Sequence, residues 1–441
     1  MNSKSNNPWH LRFLPFLNRE YLKQLATVKP APLENLYGLP KEYALKLLEN
    51  SLENVFYPSE QCLNVLEKLI GMCHAHYLIN YRDTREFLGY VYSDEPPFSD
   101  FYPPLCITGL AGVGKSKILQ IFIKIISNEI SFIADNNHTP FVMKNPWIIK
   151  VSQKKSLNDI FKHIVGDNGK LEDNKEKARK IAYLDSVPMI IADEFQFVTS
   201  SANANTVVTQ MLLGLGEVGI PYIFAANFDL IKKLLKRADQ DQQRILAETI
   251  VIVPDPWNST CWQNHLNSLI EIAPDIFNIN IENDGWKIHS FVAGRKRALA
   301  KMIKIAFSLV HGKNQKIDIS ILEKAYNSSE FSNYREESIA ISNQFVLNKP
   351  DSSRPYLWCP IPLPESISAT FTRQAKENRE KVIADMAIRS SLNKEEREAV
   401  ENLQKQINKN KDGGNVIRMK KSTNATAKEF VENARKFRDS L

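Results

Sequence analysis

Eight consecutive residues constrain this chain more than any others. Gly109-Leu110-Ala111-Gly112-Val113-Gly114-Lys115-Ser116 fit the pattern G-x-x-x-x-G-K-[ST], with a further glycine in the middle. A backbone that wraps two or three phosphates with its N–H groups pointing inward has no room for side chains at the closest points, so the pattern reads as a phosphate-binding loop. In such a loop Lys115 reaches the outer phosphate oxygens, the Ser116 hydroxyl ligates Mg²⁺, and Lys117 opens the following helix. The context fits. The apolar run 105–108 suits a buried strand, and residues 117–122 suit a helix whose N-terminal dipole faces the phosphates.

Two further strand-like runs carry polar ends toward the same place. Residues 187–192 are apolar and finish in Asp193-Glu194, which lies 78 positions after Lys115. In nucleotide hydrolases the first acid holds the Mg²⁺ shell and the second polarises the attacking water. Residues 222–226 form another apolar run, ending at Asn227, whose side chain is placed to position that water. Residues 147–151 and 249–253 complete five candidate strands, alternating with helical patterns. That alternation predicts an α/β fold with a parallel five-stranded sheet, nucleotide at its carboxyl edge. Beyond Pro254-Asp255-Pro256 the pattern turns helical, with Trp262, Leu266 and Leu269, then Ala298, Met302 and Ile305, then residues 317–326. We expect a small helical lid over 256–345, whose Gly294-Arg295-Lys296-Arg297 aims a guanidinium at phosphate.

The ends are less constrained. Residues 1–55 mix aromatic and basic side chains and read as an N-terminal extension, either docking on a partner or packing on the body. A helix begins near Ser59, and Phe56 and Tyr57 just before it fall either beside the adenine or in the core. The segment 346–441 reads as a linker and flexible C-terminal tail, with an amphipathic helix at Phe430, Ala434, Phe437 and Leu441 suited to a partner. Of the formal net charge of +7, +6 falls in residues 371–441, which hold 17 basic and 11 acidic side chains. The body is thus near neutral, and nucleic-acid contact there needs a local patch. Five scattered cysteines argue against a disulfide framework, and Cys73-His74-Ala75-His76 on a helix sends its two histidines to different faces, so no zinc is assigned. With no long apolar run we expect no membrane and a cytoplasmic protein.

Taken together, the phosphate loop, paired acids, strand-end Asn227 and lid Gly-x-x-Arg resemble the AAA+ ATPases over about residues 55–330. The resemblance implies ATP and Mg²⁺ as ligands, Arg297 (with Arg295 in reserve) as the second sensor, Asn227 as the first, and an arginine finger offered to a neighbouring subunit. Arg244 is the first choice for the finger and Arg237 the second. Within AAA+, residues 227–244 and the strand-loop-helix 151–162 are similar to the TnsC/TniB regulators of transposition. That family assembles as rings or filaments on double-stranded DNA between a TnsD/TniQ-type target-selection protein and transposase subunits, the latter recruited through the C-terminal region. The resemblance implies that Lys154 and Lys155, with Lys150 and Lys162, neutralise DNA phosphates, against the alternative of an exposed basic turn. A replicative helicase loader or initiator shares the core, and a STAND-type signalling switch is a further alternative.

Overall fold

In a computed structural model of the protein, the described residues are 7–93, 96–150, 156–193, 204–313 and 315–391. The chain divides into two units, residues 1–381 and 382–441. Seven strands occur among the described residues: β1 (Leu105–Gly109), β2 (Ile130–Phe132), β3 (Phe141–Met143), β4 (Trp147–Lys150), β5 (Ile190–Asp193), β6 (Tyr222–Ala226) and β7 (Glu248–Ile252). Five of them form one parallel sheet in the order β4-β5-β6-β1-β7. These are the five expected strands, and the fold is the expected α/β sheet with a helical lid. The antiparallel pair β2-β3 was not anticipated, because three-residue strands leave no periodicity to read.

The order of strands decides where chemistry gathers. β1, which feeds the phosphate loop, lies between β6 and β7, and β6 lies beside β5. Thr108 is in register with Ala226, and Lys150 with Asp193. The strand ends that carry Gly109, Asp193 and Asn227 therefore open on one edge of the sheet, beside β1, where the strand order departs from the chain order. β1, β5 and β6 are buried along most of their length, as expected of a parallel sheet covered on both faces.

A second hydrophobic core holds the lid, built from helices Thr260–Glu271, Ile281–Val292, Lys296–Val310 and Ile319–Tyr326, while helix Ser332–Leu347 sets Tyr334 against it and buries Ala340 and Ile341 in the sheet core. Two of these five, Ile281–Val292 and Ser332–Leu347, lie outside the three periodic runs read from sequence.

Residues 7–55 are built into both cores. In helix Pro8–Phe13, capped by Asn7, Trp9 and Phe13 are fully buried. Trp9 donates Nε1–H to Ser186 Oγ at 2.9 Å and stacks on Tyr81 at 5.2 Å, and Arg12 donates to Tyr77 Oη at 3.1 Å. Helix Lys41–Asn54 instead buries Leu45, Leu48 and Leu52 in the lid core. At the other end, a proline-bearing strap, residues 349–364, makes a short turn, Pro355–Leu357, whose Leu357 is buried against the sheet core. Lys232 donates to the Pro355 carbonyl, and Tyr356 donates to Glu337 at 3.3 Å. A helix, Glu365–Ser391, follows. The amphipathic tail helix lies outside the described residues. Among the described residues no helix is long and apolar enough to cross a membrane.

Candidate nucleotide site

The phosphate loop adopts the geometry that its glycines were expected to permit. Gly112 has φ +85° and Gly114 φ +114°, a left-handed region that costs other residues about 1 kcal/mol or more. A Cβ on Gly109 would run into the Ile252 carbonyl of neighbouring β7. Gly114 caps helix Lys115–Ile126, which is amphipathic and buries Ile118, Leu119 and Phe122 against the sheet. The helix N-terminus is thereby aimed across the sheet edge.

Lys115 is only 8% exposed, and its ammonium donates to the carbonyls of Gly109 at 2.8 Å and Leu110 at 3.0 Å. Burial pushes its pKa down to about 8; Asp193 opposes that shift and Arg297 adds to it. A cation held at such a cost is relieved by any anion that enters.

The loop forms the floor of a cleft of about 650 Å³, a volume suited to a nucleotide. Ala111, Gly112, Gly114, Lys115, Ser116 and Lys117 line it from the loop, Asp193 and Asn227 from the strand ends, and Arg297 from the lid. Asn227 opens helix Phe228–Leu234 without spending its side chain on the cap, which leaves the amide for the cleft. The Ser116 hydroxyl and the Asp193 carboxylate are hard oxygen donors on this one cleft, a set that fits Mg²⁺. Gly109 and Val113 support the loop from behind, Val113 being buried.

The lid sits directly on the loop. Arg297 N–H donates to the Gly112 carbonyl at 3.2 Å, and a Cβ on Gly112 would stand 3.0 Å from Arg297 Cβ. Arg297 itself is exposed toward the cleft, whereas Arg295, its expected substitute, points elsewhere. Arg295 is 2% exposed, pairs with Glu337, and donates to the Tyr334 carbonyl at 2.9 Å and Ser338 Oγ at 3.0 Å. With these contacts the guanidinium ties the lid together and is not offered to phosphate. Between the two, Lys296 forms a buried pair with Asp255 at 3.0 Å. Burial alone would depress the Lys296 pKa, but Asp255 and neighbouring groups outweigh it and hold the ammonium charged.

The remaining expected residues fall in several places. Phe56 lines the cleft, its backbone paired with Val28, while Tyr57 is not in the lining and accepts a hydrogen bond from Asn264 at 3.0 Å. Arg244 is exposed on helix Asp239–Ile245 with its guanidinium 4.1 Å from the Phe101 ring, and Arg237 donates to Asp241 at 3.5 Å. Neither arginine lines the cleft of its own subunit. Lys162 lies on helix Leu157–Val165, which opens with a capping box at Ser156 and Asp159, and Lys150 ends β4. Glu194, Lys154 and Lys155 lie outside the described residues.

One whole wall was missed from sequence. Glu49, Leu52, Glu53 and Asn54, from the end of helix Lys41–Asn54, and Val55 after it line the cleft together with His265, Leu269, Ala300, Lys301, Lys304 and Tyr334 of the lid. Glu49 and Lys304 pair at 2.6 Å, and the Lys304 hydrogen bond, then that of Lys46, holds the carboxyl below its usual range. The helical spacing of Leu45, Leu48 and Leu52 was the available signal.

No family model matches the chain, and no curated protein matches it. Solved structures do. They include the Aeropyrum pernix ORC2 protein in ADPNP–ADP complexes (12% identity, covering 70% of this chain and 85% of that one, TM-score 0.37). Domain III of the Thermotoga maritima replication initiation protein DnaA is another (17%, 55% and 88%, TM-score 0.34). The A. pernix ORC1 protein in complex with DNA is a third (11%, 68% and 77%, TM-score 0.35).

Proposed function

We propose that the chain is an ATP-hydrolysing AAA+ protein that works on DNA as an assembly of its own copies. The observation that carries this reading is the convergence of Lys115, Ser116, Asp193, Asn227 and Arg297 on one cleft. Backbone N–H groups of the loop and Lys115 bind the outer phosphates, and Ser116 with Asp193 holds the metal. Mg²⁺, when bound, neutralises charge on the β- and γ-phosphate oxygens. Asn227 orients the attacking water, and Glu194, the residue after Asp193, takes its proton. Arg297 grips the γ-phosphate from the lid, so lid position follows nucleotide state. Arg244 or Arg237 completes the site of the neighbouring copy, a role supported by their position away from their own cleft.

The finer reading is a regulator of DNA transposition of the TnsC/TniB kind. It assembles as a ring or filament on duplex DNA through Lys154, Lys155, Lys150 and Lys162, receives a TnsD/TniQ-type target selector, and recruits transposase through its tail. Support comes from the sequence similarity of residues 151–162 and 227–244. Electron microscopy of the protein with duplex DNA and a non-hydrolysable ATP analogue tests the assembly. Rings or filaments are expected, and monomers on DNA would overturn it. Phosphate release by wild type and Glu194→Gln tests the chemistry, with turnover lost and ATP retained in the variant. Co-purification with a replicative helicase instead of transposase would move the protein to helicase loading.

A further inference from the structure

Three consecutive cations at the start of helix Lys296–Val310 face three ways. Arg297 meets the cleft, Lys296 is paired with Asp255 of the linker after β7, and Arg295 is buried against helix Ser332–Leu347. That last helix crosses between the two cores. Tyr334 in its first turn packs on the lid and lines the cleft, while Ala340 and Ile341 further along are buried in the sheet core. Glu337 stands between them, and one of its carboxylate oxygens accepts from the Arg295 guanidinium. The other accepts from Tyr356 Oη at 3.3 Å. Tyr356 belongs to the strap turn whose Pro355 carbonyl accepts from Lys232, on the helix that Asn227 opens. One carboxylate thus joins the helix start that presents Arg297 to the body that presents Asn227 and Lys115.

We propose that Glu337 is a positioning residue for ATP hydrolysis, fixing through Arg295 where Arg297 stands over the γ-phosphate. This rests on the nucleotide reading of the cleft, with Arg297 as its lid arginine. The coupling is short. Only Lys296 separates the two arginines, and Arg297 N–H is bonded to the Gly112 carbonyl at 3.2 Å, so a shift of the helix start moves the guanidinium and its loop contact together. Arg295 is 2% exposed, and a buried guanidinium that loses its carboxylate is left with an uncompensated charge. Without Glu337 that charge is drawn toward water, and the backbone that carries it moves with it. A misplacement of about 1 Å at a reacting centre costs on the order of 100-fold in rate. ADP has no γ-phosphate, so its binding does not register where Arg297 stands.

The test measures kcat and the equilibrium affinities of ATP and ADP for the full chain as wild type, Glu337→Ala, Glu337→Gln, Arg297→Ala and the double variant Glu337→Ala with Arg297→Ala. Arg297→Ala is expected to lower kcat roughly tenfold or more and to reduce the preference for ATP over ADP. Glu337→Ala is expected to reproduce both changes, roughly tenfold in kcat, with ADP affinity unchanged. In the double variant it should add nothing, because a residue that acts through Arg297 has no effect once Arg297 is gone. Glu337→Gln keeps the shape and an acceptor for the guanidinium, so its kcat should fall only about threefold. It is also the variant to read should Glu337→Ala lose ADP affinity through misfolding. Wild-type kcat and ATP preference in both Glu337 variants overturn the proposal. So does an equal further loss in the Arg297→Ala background, which is what a merely structural role gives. If Arg297→Ala leaves the ATP preference unchanged, the lid-arginine role fails and the proposal with it, whereas a wild type that binds neither nucleotide overturns the nucleotide reading itself.

Discussion

Replacing Lys115 by methionine should stabilise the nucleotide-free fold while abolishing its ligand. The Lys115 pKa falls from 10.5 to about 8 on folding, which at about 1.4 kcal/mol per unit amounts to about 3 kcal/mol. The sign follows from the direction. A lysine whose folded pKa is depressed destabilises the fold wherever it is protonated in both states, so the whole burden is present below pH 8 and fades between about 8 and 10.5. Methionine keeps the length and removes the charge, but the carbonyls of Gly109 and Leu110 lose their donor, at about 1 kcal/mol each. The variant should therefore be about 1 kcal/mol more stable than wild type at pH 7. By pH 10 wild type should have recovered about 2 kcal/mol relative to it. Urea unfolding of both proteins at the two pH values measures this, with other titrating groups common to both. Adding ATP and Mg²⁺ at pH 7 should raise the midpoint of wild type only. If the variant is the less stable at pH 7 and the gap does not move by pH 10, the ammonium is not strained and the reasoning fails.

Other perturbations probe the lid and the strap. Gly112→Ala meets an unfavourable φ and pushes against Arg297 Cβ, so steady-state phosphate release should fall at least tenfold at saturating ATP. Asp255→Asn leaves the Lys296 charge buried without its partner and should cost about 3–5 kcal/mol, read as a lower thermal midpoint; adding Lys296→Met should recover most of it. Leu357→Ala empties a buried site where the strap meets the sheet core. It should cost about 2–3 kcal/mol in urea unfolding and speed proteolysis across residues 349–364, with unchanged cleavage arguing against the anchor.

What was legible in the sequence is what local chemistry dictates. The glycines at 109, 112 and 114, the apolar strands and the acid and amide at their ends are each set by spacing along a few residues, and all appear where expected. The order of strands that brings Gly109, Asp193 and Asn227 to one edge follows from the rule for parallel crossovers as much as from any residue. Tertiary packing decided the rest. Arg295 and Arg297 differ by two positions at the start of one helix, so they point about 200° apart, and only the placement of Glu337 reveals which is buried. Helix Lys41–Asn54 shows its apolar stripe in the sequence, but a stripe does not name the surface it covers, and here that surface is the lid beside the cleft.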